Sequence, residues 1–318
     1  MPTSVVALLL CLVGSYMLLA GAAALGFLLA RRQSPPPAPS TWPSVTVHVP
    51  ETANPKRLRD DLHACDYPMD RVDILLSPPH DAPEARNADA PRSEVALHLP
   101  PGAAVPSGWM RSMVRRARAD GSAVVGPTIV EHEDRFLPRL EALQHLGRLV
   151  WVGGIAQAGL SPGPSTANRA DGPGSAPRVA FNPDPEALLT RPPAPSFGDL
   201  IERQARWFRS SAQSSHLAQG TALGLWVLHT ALLVCSVVAV AEPAWRQPTL
   251  LALLGKMGAD VILILPAATH YGQRGLLRSL VPTVLMGMLS IPLAGLQAVT
   301  DRFSSPRPVD ETDPGGRL

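Results

Sequence analysis

The chain is uncharged from Val5 to Ala30. A run of that length satisfies its own backbone hydrogen bonds only as a helix and is long enough to cross a hydrocarbon layer about 30 Å thick. Arg31 and Arg32 follow at once, so the positive-inside rule puts the N-terminus outside and the following residues in the cytoplasm. A cleaved signal peptide is the rival reading. It fits less well, because Met1-Pro2-Thr3-Ser4 offers no basic lead and the apolar run is too long. Three more apolar runs close the chain, at residues 221–241, 250–268 and 280–299. Lys256 and Asp260 interrupt the second, and Pro282 and Pro292 lie in the third. Arg274 and Arg278 in the short link between these two suggest that the link is cytoplasmic.

Between these ends the chain changes character. Charged residues make up only 17% of the whole and concentrate in the middle, which marks a soluble unit between membrane segments. A net charge of +2 leaves no large basic surface, so no nucleic-acid partner is expected. Cys11, Cys65 and Cys235 have neither disulfide nor zinc spacing. Residues 33–43, QSPPPAPSTWP, predict an extended, semi-rigid spacer that lifts the next unit off the membrane.

The middle alternates. Residues 44–50 (SVTVHVP) predict a strand, 56–64 a helix, 72–76 a strand, and 77–91 a loop rich in Pro, Ala and Asp. Residues 94–99 predict a strand, 109–119 a helix and 123–130 another strand. This is an α/β pattern with a largely parallel sheet. Leu137, Leu140, Leu143, Leu146 and Val150 recur at helical spacing and predict an amphipathic helix over 135–157. Residues 161–177 are dense in Gly, Pro and Ser and predict a flexible loop. A short strand follows at 179–182. A second amphipathic helix follows at 197–208, with Phe197, Leu200, Ile201 and Trp207 on its apolar side.

In this order the residues resemble membrane-bound family 2 glycosyltransferases, close to the ceramide glucosyltransferase-like branch. SVTVHVP, with Leu58, Leu62, Asp66-Tyr67-Pro68 and Val72–Leu76, looks like the family's opening nucleotide-binding unit. Residues 94–109 look like its central strand and loop. Val125-Gly126-Pro127-Thr128 and residues 136–159 resemble the segment before the acceptor site. Arg203-Gln204-Ala205-Arg206-Trp207 fits the (Gln/Arg)-x-x-Arg-Trp box. The resemblance covers about 43–209 and implies a GT-A type α/β domain that transfers sugar from a nucleotide donor. The implied layout is an anchor at 1–32, a linker at 33–43, the transferase-like domain at 44–209, three membrane segments at 210–300 and a disordered tail at 301–318. It further implies an integral protein of a bacterial inner membrane with residues 33–215 cytoplasmic.

A nucleotide diphosphate leaving group needs its charge neutralised, usually by Mg²⁺ or Mn²⁺ on carboxylates, and the acceptor hydroxyl needs a carboxylate base. The family's acids are expected after the second strand, in an Asp-x-Asp loop after the central strand, and in a later acidic pair. Here the first position reads Ser77-Pro78-Pro79 and the second Pro100-Pro101-Gly102. The third has no counterpart, so the domain reads as truncated. Asp81, Glu84 and Asp89 are expected to be solvated loop acids, His98 a hydrogen-bonded structural residue, and Asp171 too constrained by its Gly and Pro neighbours to act as a base. The Arg111–Arg118 run reads as a solvated helix face. No catalytic residue, metal ligand or cofactor is therefore expected. Arg203, Gln204, Arg206 and Trp207 remain as substrate-binding candidates, implied by the resemblance; the alternative is a basic, aromatic collar at the lipid headgroups. Expected partners are membrane lipid, a nucleotide sugar and an active glycosyltransferase. The leading reading is a catalytically degenerate pseudoenzyme. A metal-independent transferase using Arg203 and Arg206, or a plain membrane scaffold, is the alternative.

Overall fold

The computed structural model describes residues 3–50, 55–77, 93–120, 123–158, 167–169, 179–212 and 216–304. Helix α1 (Thr3–Arg32) leads to strand β1 (Val45–Pro50). Val45, Val47 and Val49 are buried, and so is Thr46 between them, so the strand is covered on both faces. Helix α2 (Pro55–His63) opens on a proline, whose missing N–H is harmless in a first turn. It turns Leu58 and Leu62, one helical turn apart, onto the sheet. Strands β2 (Val72–Ser77) and β3 (Val95–His98) flank β1, both parallel to it. Helix α3 (Trp109–Asp120) buries Trp109, Met110, Met113, Val114 and Ala117 along one stripe, while Arg111, Arg115 and Arg118 face outward.

The predicted strand over 123–130 is two strands in two sheets. Strand β4 (Ala123–Val125) ends at Gly126-Pro127, and β5 (Thr128–Val130) pairs instead with β8 (Leu189–Arg191). Pro127 has no N–H to extend a ladder, and its carbonyl accepts from Leu189. A second correction lies in the predicted loop 161–177. Residues Ala167–Arg169 form strand β6, which runs antiparallel between β3 and β4. With β7 (Val179–Phe181) parallel to β4, the main sheet has the order β2-β1-β3-β6-β4-β7. It is mixed, and parallel at all strands but β6.

Helix α4 (Phe136–Gln157) departs from the predicted one-sided pattern. Leu140, Leu143, Leu146 and Val150 are buried as expected, but so are Glu141, Ala142, Leu149, Gly153, Gly154 and Ala156. The reason is tertiary. One side packs on Val130, Val179 and Phe181 of the sheets, and the other on α1 and on helices α7 (Arg246–His270) and α8 (Leu280–Ser304). Helices α5 (Phe197–Ala212) and α6 (His216–Ala241) complete the chain.

Four helical stretches, Ser4–Arg32, Ala218–Ala241, Pro243–His270 and Arg274–Asp301, are long and apolar enough to cross a membrane, marking a membrane protein. The 30 residues of α1 extend about 45 Å, well beyond the hydrocarbon thickness. The surplus carries the α/β domain. Phe27 is fully buried against Phe181, with ring centroids 5.7 Å apart, and Arg116 bonds Gln33. The domain thus packs directly on the end of α1. Helix α8 meets α4 at Leu280 and Val284, then runs along α5, ending in the pair Arg209–Asp301. It continues helically to Ser304, into the stretch read as a tail.

Candidate functional site

The first part of the site is the edge where the parallel strands end. His48 of β1 and His98 of β3 are register partners, with rings stacked at 4.6 Å and 15°. Burial lowers the pKa of His48, which keeps this imidazole neutral near pH 7. Beyond His98 the chain turns through Pro100-Pro101-Gly102, with Ala103 N–H donating to Pro100 O at 3.2 Å. Gly102 has φ +72°, a conformation that side chains disfavour. Ala104 then pairs with Thr190. The turn after this parallel strand thus consists of two prolines and a glycine and carries no carboxylate of its own. Among the described residues no three His, Cys, Asp or Glu side chains gather as a metal site, and the donors at this edge do not fit Mg²⁺ or Mn²⁺. Asp81, Glu84, Asp89 and Asp171 lie outside the described residues.

One carboxylate at this edge was missed by sequence reasoning. Asp184 follows β7 and accepts from Ser112 Oγ at 2.7 Å and from Glu186 N–H at 3.0 Å. Asn182 donates to Ser112 Oγ at 2.9 Å, and Arg115 stands 4.0 Å from Asp184. Every partner is supplied by the protein, so Asp184 ties β7 to α3. Its only sequence signal is an acid flanked by prolines, which reads as a turn. The arginine run Arg111–Arg118 is more engaged than a solvated face: Arg111 pairs with Asp66 and stacks over Trp42, Arg115 pairs with Glu186, Arg116 is buried, and Arg118 pairs with Glu94.

The second part lies beneath the domain. Glu141 of α4 is fully buried. Its Oε1 accepts from Arg191 and Arg203, each at 2.9 Å, and its Oε2 from Ala194 N–H at 2.6 Å. Arg203 also donates to Pro192 O at 3.0 Å. Arg203 is thus held under the domain by a buried carboxylate rather than presented at the sheet edge. Arg206 is exposed beside Glu202 at 3.7 Å. Gln204 is buried and donates to Gln144 Oε1 at 2.6 Å. Trp207 packs against Phe208 at 5.0 Å.

Gln204 and Trp207 line a cavity of about 120 Å³ bordered by α1, α4, α5, α6, α7 and α8. Its walls are mostly apolar. Its polar lining includes Arg148, Gln144, His229 and the pair Lys256–Asp260. That pair is buried and faces the other helices, and Tyr16 donates to Asp260 at 2.7 Å. The basic groups outnumber the acids around Glu141. Burial, then Arg148, pushes Arg191 down to about 10, and burial followed by Arg191 and Arg148 holds His145 neutral. No sequence signal marked Arg148, because an arginine on a mostly apolar helix is ordinary.

No known protein family and no curated protein matches the chain. Among solved structures, it is similar to the mannosyltransferase PcManGT from Pyrobaculum calidifontis in complex with GDP-Man and Mn²⁺. The overlap covers 94% of this chain and 99% of that one, at 15% identity and a TM-score of 0.43.

Proposed function

We propose that this chain is a membrane-anchored, GT-A type protein of the ceramide glucosyltransferase-like branch of family 2 glycosyltransferases, with its donor-side chemistry lost. It acts as a pseudoenzyme or partner subunit of an active transferase, with residues 33–215 on the cytoplasmic side of a bacterial inner membrane. One observation carries this reading. The central parallel strand ends in Pro100-Pro101-Gly102 beside a stacked histidine pair, whereas Gln204 and Trp207 of the Arg-Gln-Ala-Arg-Trp box still line a cavity against the membrane helices. Among the described residues the half of the site that would neutralise a diphosphate carries no group of acids, and the half facing the lipid is built. Arg203, held by Glu141, is not available as a metal substitute, which weighs against metal-independent transfer.

The test uses the full chain in detergent, titrated calorimetrically with UDP-glucose and GDP-mannose, with and without Mn²⁺. The expected result is no metal-dependent heat and no sugar turnover on membrane lipids. Micromolar, Mn²⁺-dependent binding or turnover overturns the proposal. Co-purification with an intact transferase from the native membrane is the expected positive result.

A further inference from the structure

A cation in an apolar enclosure is costly unless an anion meets it. Arg148 is such a cation. It projects from α4 into the cavity beneath the domain, and no hydrogen bond or ion pair to it is found among the described residues. Glu141 reaches it only as a field, since both guanidiniums bonded to that carboxylate belong to Arg191 and Arg203. Lys256, the other cation on the wall, is answered by Asp260. Among the described residues the cavity therefore carries one positive charge with no anion bonded to it.

A second group on the same wall is also unsatisfied. Gln204 is buried, its amide N–H is used on Gln144, and its Oε1 has no partner. A buried acceptor left empty costs about 1–3 kcal/mol, so a donor belongs there. The cavity thus asks for an anion that also carries a proton to donate. A phosphate monoester in its monoanionic form offers both; a carboxylate offers only the charge.

The remaining walls say what the phosphate is attached to. Leu143, Trp151, Phe208, Leu225, Leu263 and Ile291 contribute apolar surface, and four of the six helices around the cavity come from the apolar ends of the chain. About 120 Å³ holds a head group and its first carbons, and longer chains would continue along the exposed leucines of these helices. We infer that this cavity is a binding site for a membrane lipid bearing a phosphate monoester, held by Arg148 on the phosphate oxygens and Gln204 Oε1 on its hydroxyl. The inference rests on the membrane reading but not on the loss of donor chemistry, so it stands or falls separately from nucleotide-sugar binding.

Trp151 and Trp207 line the cavity and report on it. The full chain is placed in phosphatidylcholine nanodiscs containing increasing phosphatidic acid with brominated acyl chains, and tryptophan quenching is followed. Wild type is expected to quench saturably. Arg148→Gln should need at least tenfold more phosphatidic acid, with Arg148→Lys between them, and Trp151→Phe with Trp207→Phe should remove most of the saturable signal. Brominated diacylglycerol should not reproduce the effect, and millimolar inorganic phosphate should not displace the lipid. Without phosphatidic acid, Arg148→Gln should unfold no earlier than wild type, since it removes an unanswered charge. The proposal is overturned if Arg148→Gln quenches like wild type, if it is destabilised in the lipid-free protein, if diacylglycerol serves equally well, or if inorganic phosphate competes.

Discussion

Gly26 of α1 and Gly154 of α4 meet backbone to backbone. A Cβ on Gly26 would stand 2.8 Å from the Cα of Gly154, and one on Gly154 would stand 2.4 Å from the carbonyl oxygen of Ala23. Small residues are what allow helices to approach this closely where apolar burial does not distinguish helix from lipid. Gly154→Ala should therefore separate α1 from the domain at a cost of about 1–3 kcal/mol or more. The thermal midpoint of the full chain in detergent should fall clearly, while Gly21→Ala, with nothing within 4 Å of its added carbon, should not move it.

Among the described residues Glu141 is the only carboxylate on two half-buried guanidiniums, and removing its charge strands both. Glu141→Gln is expected to cost about 3–5 kcal/mol, the usual penalty for breaking a buried pair from one side. Arg206→Gln, at an exposed pair, should stay within about 0.5 kcal/mol of wild type. Denaturant or thermal melts of both variants check the contrast. Equal melts would mean that Glu141 is not holding β8 and α5 to α4.

Lys256 and Asp260 share one face of α7, and Asp260 also accepts from Tyr16. Asp260→Asn should lower the amount of protein in the membrane, because Lys256 loses its counter-ion. Lys256→Met with Asp260→Leu should restore it if the pair is structural. Normal accumulation of the double variant with loss of a cellular activity would assign the pair to function instead.

Burial, with Asp61 adding to it, pushes the Cys65 thiol up to about 11. At pH 8 the thiolate fraction is then about 0.1%, against about 10% for an ordinary thiol at 9.0, so alkylation should be about a hundredfold slower. The rate should rise as pH climbs toward 11 and reach the ordinary value on unfolding. Mass spectrometry of iodoacetamide-treated protein, with and without denaturant, checks this.

Helix α8 is long enough to cross a membrane, yet Leu280 packs with α4 and Asp301 pairs with Arg209 of α5. The charged outer face of α5, with Asp199, Glu202 and Arg206, belongs outside the hydrocarbon. Both ends of α8 should therefore lie on the domain's side. Cysteines placed at Gln273 and Ser304 should be labelled by a membrane-impermeant reagent from the same side as one at Ser196. Opposite labelling of Gln273 and Ser304 would show a crossing.

The sequence by itself determined the apolar runs, the α/β alternation and the absence of acids after His98. These are local matters of period, composition and proline chemistry, and the structure bears out the alternation at β1, β2, β3 and α3. Tertiary structure decided the rest. The break at Pro127 sends one predicted strand into two sheets because a ladder cannot pass a residue without an N–H. A strand forms at Ala167–Arg169, within a Gly- and Pro-rich stretch, because β3 and β4 both offer it partners. Arg148 became notable only when α1, α5, α6, α7 and α8 closed around it. The charge was written in the sequence, but the missing counter-ion is a property of the enclosure, and enclosure is made by contacts between residues far apart in the chain.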